Sequence, residues 1–352
     1  MLSSVRSKTI DGFRGIAVLL VVFSHAATYR FESENYVFSN YVRRLAGPLA
    51  EIGVQIFFVI SGFIITSLLL REELANTKIN ITAFYVRRTF RILPPLLFYM
   101  GGLLLFRFFG WIAFPIETIG NALTFTCNTG LTDCQWWVAH TWSLAVEEQY
   151  YLIWPVLFGL LRDKWRTRFL CMSVAALVCC YALFPHTWHS NYISFACIVA
   201  GACFATNEFA QKTVKARSSI TAWIIVCVLL TVGPLASFLF RPLQFLMPIL
   251  IIYLIFAGRE IPVVGAILRG RFLQFVGSIS YSLYLWQQLF LAKPILYPGG
   301  PFPIFGLLLA VALSVFFVER PSIKLGHAIS KRFSRANSDI RADFSQTHLP
   351  NP

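Results

Sequence analysis

Apolar runs of about 18 residues recur along the whole chain, each long enough to cross a bilayer as a helix. Ten of them fall at about 13–31, 52–70, 93–110, 141–161, 169–185, 191–207, 219–239, 243–257, 275–293 and 302–319. The period-two alternation of a membrane β-barrel is absent from the sequence. The pattern predicts an all-α fold: a polytopic integral membrane helical bundle of about ten transmembrane helices. That transmembrane domain is expected to occupy 1–333. Residues 334–352 are polar and end in proline, which predicts a disordered tail.

Charge orients this bundle. Only 13% of the 352 residues are charged, against about 25% in a soluble chain, yet the net charge is +14. Assigned alternately to the two sides of the ten spans, the 30 Lys and Arg residues divide into 24 and six. The positive-inside rule then places both termini in the cytoplasm. Basic charge laid out this way is a topology signal and a means of holding anionic lipid headgroups, and it argues against nucleic acid as a partner. The first span carries a histidine and lacks a small-x-small exit, so it is expected to be a retained helix instead of a cleaved signal. Of the eight cysteines, six lie in or near spans as small packing residues. Cys127 and Cys134 flank a short outer loop segment, CNTGLTDC, where a disulfide is a candidate; no metal site is expected.

Ionisable residues inside spans are costly and mark candidate sites. His25 lies deep in the first span, and Arg14 stands at its cytoplasmic entrance, about 16 Å away along a helix. A histidine that merely bonds a neighbouring helix is the competing reading. Arg87, Arg88 and Arg91 crowd the edge of the third span, before Pro94 and Pro95. Arg88 and Arg91 share a helical face, and arginine suits bidentate phosphate recognition, although ordinary positive-inside charge also accounts for such a cluster. The fourth span opens HTWSLAVEEQYYLIWP, with Ser143 and Glu147 on one face and Glu148 turned away from it. In the second span, Gln55, Ser61 and Gly62 read as packing.

These segments together resemble the acyltransferase-3 family of bacterial membrane O-acyltransferases. The resemblance rests on IDGFRGIAVLLVVFSH, VQIFFVISGFIIT, FYVRRTFRILPP, HTWSLAVEEQYYLIWP, GSISYSLYLWQQ and VERPSIK, in family order from about residue 9 to 325. It looks like a standalone form, without the fused extracytoplasmic hydrolase-like domain that some members carry. One departure is Gln287, where members commonly read LYLWH; it leaves a required basic residue at that position without support.

The resemblance implies transfer of an acyl group, usually acetyl from acetyl-CoA as donor substrate, to a carbohydrate hydroxyl such as a lipopolysaccharide O-antigen or exopolysaccharide sugar. No permanently bound cofactor is implied, and the setting is the bacterial inner membrane. In this reading Arg88 and Arg91, with Arg14 and Arg87, hold the CoA phosphates, and His25 is the general base. Glu147 orients or charges His25, or positions the acceptor; an acyl-histidine intermediate is a variant. Asp11, Ser143, His140 and Glu148 are the candidate substrate-binding or supporting residues. A transporter or flippase of a lipid-linked sugar is the alternative class. No inverted pair of broken apolar segments favours it.

Overall fold

A computed structural model describes all residues except 1–6, 31–35, 77, 131–133, 184–188, 233–236, 292–302 and 348–352. Arg6 and Lys293, two of the cations used to orient the chain, lie outside the described residues. In order, the helices are α1 (Lys8–Arg30), α2 (Tyr36–Asn76), α3 (Ile81–Phe108), α4 (Glu117–Leu123), α5 (Trp136–Ala139), α6 (Thr141–Leu160), α7 (Asp163–Leu183) and α8 (His189–Thr206). They continue as α9 (Glu208–Ala216), α10 (Ile220–Val232), α11 (Ser237–Glu260), α12 (Pro262–Leu268), α13 (Arg271–Ser278), α14 (Ser280–Phe290), α15 (Pro303–Leu313) and α16 (Arg320–Thr347). A π-helical turn, Ser314–Glu319, joins the last two. No strand occurs among the described residues.

The ten apolar segments are helical where they are described, but 219–239 takes in α10 and the start of α11, 275–293 is divided between α13 and α14 at Ile279, and 302–319 takes in α15 and the π-helical turn. Six helices among the described residues are long and apolar enough to cross a membrane, or seven if α8 and α9, bent by 92°, form one span. Large apolar side chains such as Leu97, Leu105, Leu152, Ile153, Ile225 and Leu309 face outwards on these helices. A polytopic helical membrane protein explains that surface: lipid, not water, is the solvent against it.

Helix bounds differ from span bounds in three further places. The helix α2 begins at Tyr36 and α3 at Ile81, well before the apolar runs starting near 52 and 93. The reason for α3 is its N-cap: the Asn80 side chain accepts a 2.9 Å bond from the Ala83 amide, so the helix starts in polar sequence. Arg87, Arg88 and Arg91 therefore sit on helical turns. The third difference is at the C-terminus, where α16 runs to Thr347 through residues expected to form a disordered tail from 334. That stretch contains no Gly or Pro before Pro350, so nothing in it breaks the helix.

Two close helix contacts fix the frame of the site. A Cβ on Gly62 of α2 would stand 1.8 Å from the Ile198 carbonyl oxygen of α8, and one on Gly201 would stand 2.1 Å from the Val59 carbonyl. The two backbones touch through reciprocal glycines, as small residues permit in a membrane. In the same way Gly277 of α13 abuts the Asp11 carbonyl of α1, at 2.0 Å from an ideal Cβ. This second contact holds the Asp11–Arg14 turn against the α13–α14 corner. On the other side of the bundle Arg166, 3% exposed, makes a bidentate bond to Glu73 and ties α7 to the end of α2.

Candidate active site

Five helices and the start of α16 enclose a cavity of about 780 Å³. Into it α1 projects Asp11 and Arg14, and α3 projects Arg87, Arg88 and Arg91. Ser143, Glu147 and Tyr151 come from α6, one helical face apart by four residues each. Ser61, Arg71 and Glu72 come from α2, and Ser280, Tyr281 and Tyr284 from α14. Ile323 and His327 of α16 complete the wall beside the arginines.

The cations are held in different ways. Arg14 Nη2 donates to Ser280 Oγ at 3.0 Å. Arg87 pairs with Glu72 at 3.4 Å. Arg88 stacks over the rings of Tyr151 and Phe84, with its guanidinium carbon 5.0 and 5.8 Å from their centres. Among the described residues neither Arg88 nor Arg91 forms a salt bridge. Two guanidinium groups thus line the cavity without a salt bridge among the described residues. Tyr281 closes the proline end of this helix face by donating to the Ile92 carbonyl at 2.9 Å.

Glu147 accepts bonds from Ser61 Oγ at 2.8 Å and from Tyr151 at 3.3 Å. It lies within the electrostatic reach of Arg88 and Arg14. Glu148 faces away from the cavity, and its Oε1 is buried without a hydrogen-bond partner. At the far end, Tyr284 donates to the His140 carbonyl at 2.9 Å and its hydroxyl lies 2.7 Å from Ser143 Oγ. These two side chains form the end wall of the cavity.

Behind that wall stands the second part of the site. His25 does not line the cavity. Its Nδ1 is 2.8 Å from Gln287 Oε1, and its ring centre is 6.3 Å from that of Trp136. The His140 ring is buried between Tyr99 and Tyr284, each with its ring centre 5.5 Å away, and neither of its nitrogens makes a hydrogen bond. Cys127 and Cys134 are joined in a disulfide with a Cα separation of 5.6 Å, in the loop before α5.

The cavity gathers Asp11, Arg14, Arg87, Arg88, Arg91, Ser143 and Glu147, and leaves out His25, His140 and Glu148. Among the described residues no hydrogen bond joins Glu147 to His25. The carboxylate meets Ser61 and Tyr151, while His25 meets Gln287. Glu147 lies seven residues, about 10 Å, further along α6 than His140, and so falls on the arginine side of the wall. Ser61, read from the sequence as packing, is a direct partner of that carboxylate. Tyr151 was legible, standing four residues after Glu147 on the same face; Tyr284 and Ser61 carried no signal of their own.

Arginines at one end of a cavity among apolar helices, with an imidazole set behind its far wall, mark the site of a polytopic helical membrane protein. The chain belongs to the acyltransferase domain family, whose model matches residues 7–318. It is 25% identical over 364 residues to YrhL of Bacillus subtilis strain 168, named provisionally as a peptidoglycan O-acetyltransferase, covering 89% of this chain and 54% of that protein. It is 24% identical over 372 residues to O-acetyltransferase OatA of Staphylococcus aureus strain NCTC 8325, covering 90% of this chain and 57% of that protein. The chain thus spans about half the length of these curated relatives. No solved structure matches it.

Proposed function

We propose that this protein is a membrane O-acetyltransferase of the bacterial inner membrane, with both termini cytoplasmic. It moves an acetyl group from cytosolic acetyl-CoA to a hydroxyl of a carbohydrate acceptor. The relatives' names support O-acetyl transfer, and one of them adds peptidoglycan sugars to the acceptor class of O-antigen and exopolysaccharide sugars. The observation that carries the reading is the pair Arg88 and Arg91, lining the cavity without salt-bridge partners among the described residues. Such a pair fits the phosphates of a CoA, and Arg14 and Arg87 widen the same cationic rim.

In this mechanism the pantetheine arm lies along the cavity past Phe57 and Ile64, and the thioester passes between Ser143 and Tyr284, which must part to let it meet the acceptor beside His25. On the far side His25 takes the proton of the acceptor hydroxyl as its oxygen attacks the thioester carbonyl. The new C–O bond forms, the C–S bond breaks, and the proton passes to the CoA thiolate as the thiol leaves. Glu147, fixed by Ser61 and Tyr151, balances the charge of Arg88 and Arg14 within the cavity.

The test is product analysis in proteoliposomes supplied with labelled acetyl-CoA and a glycan acceptor. Free CoA and esterified glycan in equal amounts are the expected products. Translocation of a lipid-linked sugar with no ester formed would replace this reading with that of a flippase.

A further inference from the structure

The His25 end contains a chain of amides with a fixed direction. Gln288 Nε2 donates to the Trp136 carbonyl oxygen at 2.8 Å, Gln287 Nε2 reaches Gln288 Oε1 at 3.3 Å, and Gln287 Oε1 lies 2.8 Å from His25 Nδ1. Both glutamines are buried, at 0% and 3% exposure, so water does not stand in for any of these partners.

A side-chain amide has one donor end and one acceptor end, and their order is read from the network around it. The network here begins at a group with no choice. A backbone carbonyl only accepts, so Gln288 presents its NH2 to Trp136. Its oxygen is then turned towards Gln287, which answers with its own NH2. The Gln287 oxygen is left facing His25. An oxygen acceptor at that position requires a proton on Nδ1, which leaves Nε2 as the basic nitrogen of the neutral ring.

We infer that Gln287 and Gln288 are positioning residues: a one-way relay from the Trp136 carbonyl that holds the His25 proton on Nδ1 and makes Nε2 the base. The inference rests on the proposed role of His25. In a well-studied protease triad, a change that leaves geometry intact but sets the wrong histidine tautomer lowers kcat about 10⁴-fold, which shows how much such an arrangement governs. The relay uses only neutral groups, so it sets the tautomer without placing a second charge beside the imidazole.

The experiment uses the full chain in lipid nanodiscs with ¹⁵N-labelled histidine. The His25 resonances are assigned by difference from His25→Ala, and steady-state kinetics with acetyl-CoA are measured in parallel. Wild-type His25 should show the Nδ1–H tautomer. Gln287→Met, of similar length but without the acceptor, should lose that signature and lower kcat about 10- to 100-fold, with KM for acetyl-CoA within about twofold. Gln287→Glu, which restores an acceptor oxygen, should recover the tautomer and most of kcat. An Nε2–H tautomer in the wild type would overturn the relay. So would a Gln287→Met protein with wild-type kcat when His25→Ala is inactive. If His25→Ala keeps full activity, the base assignment fails on its own, and the resonances still decide whether the relay exists.

Discussion

The two ends of the site are built from opposite materials. At one end, five arginines surround open volume with Asp11, Glu72 and Glu147, and three of those arginines, Arg71, Arg88 and Arg91, form no salt bridge among the described residues. At the other, His25 and His140 sit among tyrosine, tryptophan and glutamine side chains, with His25 Nδ1 against Gln287. Open cationic space favours a flexible polyanion that must enter and leave. A pocket of aromatic rings and side-chain amides favours a fixed ring whose proton position decides the chemistry. The difference suggests that binding and bond-making are assigned to separate chambers, with Ser143 and Tyr284 as the partition. Kinetics can test that division: changes in the first chamber should move KM, and changes in the second should move kcat.

The largest effect is expected at His25. Its replacement by Ala should lower kcat by about 10²- to 10⁴-fold, the usual contribution of a general base, while acetyl-CoA binding stays within about twofold. Equal loss of binding, measured by equilibrium binding of labelled acetyl-CoA, would dissolve the distinction between the chambers. Next comes the double variant Arg88→Gln, Arg91→Gln. Bonds to charged groups contribute about 1.5–3 kcal/mol each, so KM for acetyl-CoA should rise by at least about 10-fold with kcat little changed. An unchanged KM would remove the phosphate role of this pair.

The partition itself should respond less. Tyr284→Phe removes the bonds to the His140 carbonyl and to Ser143, each of about 1 kcal/mol. We expect kcat to fall at least about fivefold, the factor that loss of one of these bonds corresponds to, with KM unchanged. A rise in KM alone would assign the wall to the binding chamber.

The sequence made one chamber far more legible than the other. Arg14, Arg88, Arg91, Ser143 and Glu147 announce themselves as ionisable or polar groups at helical spacing in apolar runs, and the fold brings all five to one cavity. Their helices were legible too, since hydrophobic length is written in composition. The ends of α2 and α3 were not, because a helix continues past the bilayer wherever a cap and good helix formers allow it. The supposed His25–Glu147 pair shows the deeper limit. Sequence gives the depth of a residue along its own helix, but not the vertical offset or rotation between two helices. Ser61, beside Gly62, reads as close packing for the same reason. Gln287 stood out only as a departure from a motif, and its meaning depended on Gln288 and the Trp136 carbonyl, 152 residues from Gln288 in the chain.

The smallest effect is expected at the outer loop. The Cys127–Cys134 disulfide closes a short ring, worth at most about 2–3 kcal/mol by loop entropy. The same loop has a second fastening. Asn128 and Gln149 exchange two amide bonds of 2.9 Å, Gln149 also reaches the Phe125 carbonyl at 3.1 Å, and Asn191 of α8 donates to the Asn128 carbonyl at 2.6 Å. This clasp anchors the loop to α6 and α8 without the sulfur bridge. The double variant Cys127→Ser, Cys134→Ser should therefore keep kcat and KM within about twofold while its thermal midpoint falls by a few degrees. Asn128→Ala, which leaves the Gln149 amide unsatisfied, should lower the midpoint by a comparable amount. If either change instead lowers kcat as far as Tyr284→Phe does, the outer loop is part of the His25 chamber, and the boundary between binding and chemistry has to be redrawn to include it.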